Sequence, residues 1–125
     1  MFEAVYKIVA LVESNGPEEC LFRVYEKGAP ATDSEFTSFV TNLFQQDVYR
    51  TLRAGDTLTI TMQLDLPPRE IERTVRFRED KQFEGEGIQQ PISDLLPMIS
   101  TMQNQFSQQV GPGDVFRITL HVQRP

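Results

Sequence analysis

The chain holds one cysteine, Cys20, and one histidine, His121. A thiolate beside an imidazole would make a nucleophile and its base. Strand alternation around each residue puts the two on opposite faces of whatever sheet they share. His121 has no histidine or cysteine near it in sequence, so a common zinc site is not expected, and it reads as a surface residue of a strand. Cys20 opens a run with Phe22 and Val24 and reads as a small core residue. Glu70 with Glu72, or Glu84 with Glu86, could supply paired carboxylates for acid–base work. Acid-rich loops are far more often solvated. Ser93-Asp94 suits helix capping. The acidic Gly85-Glu86-Gly87 loop lacks the lysine of a phosphate cradle. No catalytic residue, no metal and no cofactor is therefore expected.

The elements that must position these groups can be read from periodicity. Residues 4–12 form a near-continuous apolar run rich in β-branched side chains, as in a strand covered on both faces. Asn15-Gly16-Pro17 marks a turn, and residues 20–26 make a second strand. Thr32 and Glu35 have capping-box spacing. Phe36, Phe39, Val40, Leu43, Phe44 and Val48 then form one helical face. Strand three alternates Leu58, Ile60, Met62, Leu64 and Leu66 against Thr57, Thr59, Thr61, Gln63 and Asp65. Strand four sets Arg73, Val75 and Phe77 against Thr74, Arg76 and Arg78. Residues 80–87 read as a mobile loop. A second helix carries the stripe Ile92, Leu95, Leu96, Ile99, Met102, Phe106 and Val110. Pro97 either kinks it or opens its main part, leaving 91–96 as a short separate turn. Strand five alternates Phe116, Ile118, Leu120 and Val122 against Arg117, Thr119 and His121.

The order is ββαββαβ, and it contains a near-repeat. Gly55-Asp56 and Gly113-Asp114 each open an alternating strand that contains Ile-Thr, and Asn42-Leu43-Phe44-Gln45-Gln46 echoes Asn104-Gln105-Phe106-Ser107-Gln108. Without its first strand the order is that of a duplicated, split βαβ unit. One α+β domain over residues 1–125 is expected, a ferredoxin-like two-layer sandwich with an extra N-terminal strand added at a sheet edge. The alternative is two ββα repeats plus a final strand, with the first strand paired to the second. Topology of this kind carries no active-site residues.

Both helices on one side would leave the other face of the sheet open. That face would carry Lys7, Arg23, Tyr25, Arg76, Arg78, Arg117 and His121 beside Val9, Leu11 and Leu21. Arginine and tyrosine next to apolar side chains match the composition of interface centres. The leading functional reading is a non-enzymatic binding or assembly module that forms a homodimer or docks an acidic partner. One alternative is an enzyme or carrier with a pocket lined by Arg76, Arg117 and His121. Another is an anion or single-stranded nucleic-acid platform. A bland reading also stands, in which these arginines pair with carboxylates such as Glu26, Asp65 and Glu79.

The totals constrain the choice. The 125 residues are 39% hydrophobic and 24% charged, with net charge −6, which fits a folded domain and opposes nucleic acid and anionic membranes. No apolar run approaches a bilayer span. Residues 1–7 lack a basic, then apolar, leader pattern. With a single cysteine, a reducing cytoplasmic setting is expected.

Overall fold

Alternation over Leu58–Leu64 and Phe116–Val122 requires two strands that bury one face each, and the two pair with each other. A computed structural model describes residues 2–17, 19–24 and 28–125 of the chain. It contains strands β1 (Glu3–Ser14), β2 (Cys20–Val24), β3 (Pro30–Ala31), β4 (Thr57–Asp65), β5 (Pro68–Phe77), β6 (Gln82–Gly85), β7 (Ile88–Pro91) and β8 (Val115–Gln123). They form one eight-stranded sheet in the order β3-β2-β1-β8-β4-β5-β6-β7. Every pairing is antiparallel.

The fold is α+β; the split βαβ strand order is not found, while β1 does pair with β2 as in the alternative arrangement. β1 is not an edge addition; it lies between β2 and β8. The composition of β1 explains this. Ile8, Ala10 and Val12 are buried toward the helices, while Val9 and Leu11 are half-covered on the other face. A strand apolar on both sides is best placed inside a sheet. In a split βαβ unit each crossover passes one strand. Here the crossover from β3 to β4 passes β2, β1 and β8, and that from β7 to β8 passes β6, β5 and β4.

Helix α1 (Asp33–Leu43) starts as its sequence requires. Thr32 Oγ1 accepts from the Glu35 amide at 3.2 Å, and Glu35 Oε1 accepts from the Thr32 amide at 3.0 Å. The helix widens to a π-turn over Phe44–Val48 and ends in a single turn, α2 (Tyr49–Thr51). Phe36, Val40, Phe44 and Val48 are all buried. Over those twelve residues a regular helix would swing Val48 about 120° away from the direction of Phe36. The wider turn takes up much of that drift. A short 3₁₀ turn at Ile92–Asp94 precedes α3 (Leu95–Ser107), so Pro97 sits in the first turn of the main helix, where its missing N–H costs nothing.

Both helices pack on the same side. Phe36 stacks on Phe22 of β2 with centroids 4.8 Å apart and meets Phe116 of β8 edge-on at 5.6 Å. Phe106 of α3 lies 6.1 Å from Phe116. Gln103, fully buried, donates to Asp33 of α1 at 3.3 Å and joins the two helices.

The expected mobile loop at 80–87 is mostly a hairpin, β6–β7. Its two connecting residues, Glu86 and Gly87, have φ of 55° and 79°. Both therefore sit in the left-handed region that a two-residue primed turn demands. Phe83 anchors the hairpin, 1% exposed. Its single buried side chain was outweighed in the sequence by polar neighbours.

Candidate functional site: the open face of the sheet

The residues opposite the helices form rows across the strands. One row runs Glu3–Gln123–Thr57–Arg76–Glu84 and the next Val5–His121–Thr59–Thr74. Then come Lys7–Thr119–Thr61–Glu72 and Val9–Arg117–Gln63–Glu70. Leu11 closes the grid between Val115 and Arg23. Lys7, Arg23, Arg76, Arg117 and His121 therefore share this face, and Arg78 follows Arg76 on it. Tyr25 lies outside the described residues, as do Glu18 and Glu26.

The face is not cationic in balance. Register brings a carboxylate to most of its cations. Arg23 clasps Glu13 in a fork, Nε to Oε1 at 2.6 Å and Nη2 to Oε2 at 3.2 Å, and also donates to the Gly28 carbonyl. The Glu13 carboxyl is held below its ordinary range, first by the Arg23 hydrogen bond, and the Arg23 guanidinium is pushed up by the same contact. Arg117 pairs with Asp65 and His121 with Glu3. Arg78 lies 3.5 Å from Asp80 and 3.4 Å from Glu84. Gln63 donates to Glu70 at 2.8 Å. Four charges on the face, Lys7, Glu70, Glu72 and Arg76, have no ion-pair partner among the described residues; Glu70 has only the Gln63 amide.

Apolar side chains occupy the β2–β1–β8 side of the face. Val5 is 49% exposed, and Val9, Leu11, Leu21 and Val115 are half-buried. Toward β4 and β5 the face turns to threonine and then to carboxylate. No helix among the described residues covers it.

Arg76, Arg117 and His121 do not line one depression together among the described residues. Arg76 lines a depression of about 530 Å³ with Arg78, Glu79, Asp80 and Glu84. Arg117 lines a different one of about 540 Å³ with Gln63, Asp65, Arg69 and Glu70. His121 lines neither. Their neighbours on β4, Thr57 and Gln63, are six residues apart, roughly 20 Å along a strand. A separate crevice of about 310 Å³ on the helix side is lined by Phe44, Gln45, Tyr49, Ile92, Ser93 and Leu96. Cys20 points to the helix side and His121 to the open face, so they make no dyad. Among the described residues no cluster of histidine, cysteine and carboxylate groups has metal-binding geometry. No helix among them is long and apolar enough to cross a membrane.

Two residues of the Gly-Asp near-repeat have a role beyond turn chemistry. Asp56 and Asp114 are 0% and 1% exposed. Asp114 Oδ1 accepts from the amides of Asp65, Leu66 and Val115 at 2.9, 3.1 and 2.9 Å, and Oδ2 accepts from Arg69 Nη2 at 3.2 Å. Asp56 accepts from the Arg53 amide at 2.9 Å and from Arg124 Nε and Nη2 at 2.9 and 3.1 Å. That contact raises the Arg124 guanidinium above its ordinary range. The Asp before β4 thus grips the residue after β8, and the Asp before β8 grips the end of β4. The signal was present in the sequence, a carboxylate repeated at one offset from two alternating strands, but its arginine partners lie far away in the chain. Arg69 and Arg73 themselves face the helix side, opposite Leu64 and Ile60.

Comparison of the chain with protein-family models, with curated proteins and with solved structures finds no match.

Proposed function

We propose that this chain is a non-enzymatic binding or assembly module that docks protein through the open face of its sheet, in a cytoplasmic setting. The observation that carries the reading is the half-buried group Val9, Leu11, Leu21 and Val115, left uncovered in the middle of the β2–β1–β8 surface and bordered by the Arg23–Glu13 and Arg117–Asp65 pairs. An apolar centre inside a polar rim is the anatomy of a protein interface. Internal pairing of Arg23, Arg78 and Arg117 lowers their value to a phosphate or an acidic partner, because each would first give up a carboxylate. Separation of Arg76, Arg117 and His121 takes away the support for a ligand pocket or catalytic centre.

Hydroxyl-radical footprinting tests the reading. Val9, Leu11 and Val115 should oxidise more slowly in the native assembly than their exposure in the isolated chain dictates. Leu11→Glu should abolish that protection while the circular dichroism of the fold is kept. Equal oxidation of these side chains in both states would sink the reading.

A further inference from the structure

Resting on that docking reading, we infer that the occupant of the open face is a second copy of this chain, related by a two-fold axis that runs parallel to the strands along the β8–β4 seam. Three of the four charges without an ion-pair partner, Lys7, Glu72 and Arg76, carry the inference; the fourth, Glu70, accepts from Gln63. Lys7 and Glu72 stand at the two ends of one row, separated by Thr119 and Thr61. A rotation about the seam exchanges β1 with β5 and β8 with β4. It sets Lys7 of each copy over Glu72 of the other, twice. The same rotation sets the third unpartnered charge, Arg76, over Glu3 of the second copy, at the other end of its own row. A surface that meets itself must be self-complementary in this way.

The competing in-plane axis, at right angles to the strands, fails on charge. The Lys7–Glu72 row is the middle row of the grid, so that axis would stack Lys7 on Lys7 and Glu72 on Glu72. Area is also sufficient. The four strands that the rotation overlays, β1, β8, β4 and β5, spaced ~4.8 Å apart over nine residues, give roughly 600 Å² per copy, at the lower edge of the share each partner contributes to a standard stable interface. Although the chain carries net charge −6, this face mixes its cations and carboxylates closely, so two copies meet there without the repulsion of the rest of the surface. Threonines at the seam, Thr119 and Thr61, are small enough to let the two sheets approach, as facing sheets do at about 10 Å.

Light-scattering mass and sedimentation across a concentration series test this. Wild type should reach twice the 14.3 kDa chain mass. Lys7→Glu alone and Glu72→Lys alone should each raise the dimer dissociation constant at least tenfold, since the two-fold applies each lost bridge twice. Mixing the two variants should restore the dimer as a heterodimer, because each substituted side chain then faces the opposite charge on the other chain, and the unsubstituted Glu72 of one variant faces the unsubstituted Lys7 of the other. That rescue cannot come from a folding defect. A dimer unaffected by either reversal but lost with Leu11→Glu would overturn this two-fold and leave face docking intact. A dimer indifferent to all three substitutions would overturn both. A wild-type monomer at every concentration would overturn the self-association and leave docking to the footprinting result.

Discussion

Replacing Asp114 with alanine should be among the most damaging single changes in the protein, although no function is assigned to the residue. Its Oδ1 atom satisfies three backbone amides at once, and Oδ2 takes the Arg69 guanidinium. A hydrogen bond to a charged group contributes about 1.5–3 kcal/mol. Leu66 is exposed, so water can reach part of the vacated site, and the low end of that range applies. Three amides then amount to about 4.5 kcal/mol, within the range found when one partner of a buried pair is removed. Arg69, a quarter exposed, adds little because its guanidinium also donates to the Pro67, Leu66 and Gln109 carbonyls. For 125 residues, with an unfolding entropy of roughly 2.1 cal/mol/K per residue, that loss lowers Tm by about 17 °C.

Asparagine separates the two contributions. Asp114→Asn keeps an oxygen for the three amides and turns an NH2 group toward Arg69, so it should cost about 1–2 kcal/mol. Urea unfolding of wild type, both variants and Arg69→Ala measures the order. A loss below about 1 kcal/mol for the alanine variant would refute the reasoning. So would an asparagine variant as unstable as alanine, because the ion pair rather than the amide cradle would then dominate.

Two further outcomes follow from the helix layer. The Glu35 carboxyl is held below its ordinary value of 4.5 by the Thr32 amide and then by the Thr32 side chain. The folded chain therefore binds fewer protons there than the unfolded chain. Stability from this group is complete above the ordinary carboxylate value and is lost as pH falls through the lowered one. Glu35→Gln keeps a capping partner without the titration, so its acid limb in a stability–pH series should be shallower than wild type, and an identical limb would contradict the assignment. Phe36→Ala removes a fully buried ring stacked on Phe22 and edge-on to Phe116. It should cost about 3–5 kcal/mol in denaturant unfolding, and a cost under about 1 kcal/mol would mean that the ring is not part of the core.

The parts of the fold that were legible in the sequence are those set by local periodicity. Leu58, Ile60, Met62 and Leu64 alternate and are all buried. The Thr32–Glu35 box forms as spaced. Strand order was only partly legible: the two-sided apolar run of β1 suits an interior place, but no residue in it records that its second neighbour will be β8. That choice depends on the best cover for Val9 and Leu11 across the whole sheet. Placement of Lys7, Arg23, Arg76, Arg117 and His121 on one face followed from alternation. Which carboxylate each would meet did not: Asp65 was a candidate, but its match to Arg117 and that of Glu13 to Arg23 are set only once register is fixed.

The near-repeat was visible for a reason other than the one it suggested. Gly-Asp before β4 and Gly-Asp before β8 do not mark two copies of a βαβ unit. They mark the two opposite ends of one antiparallel pair, at the centre of the sheet. Each aspartate locks its own strand start to the finish of the other strand, Asp56 through Arg124 and Asp114 through the amides of Asp65 and Leu66. An antiparallel pair fixed at both ends cannot slip by one residue, and a slip would turn Leu58–Leu64 and Phe116–Val122 out of the core together. The same pinning holds Thr61 opposite Thr119, and through it the row that ends in Lys7 and Glu72. Register slippage at the seam would therefore scramble the open face as surely as it would empty the core. By loosening one end of the seam, Asp114→Ala should weaken the proposed self-association even at a temperature where the chain remains folded, and sedimentation of that variant beside wild type at such a temperature measures it. An unchanged dimer dissociation constant would separate the seam from the face.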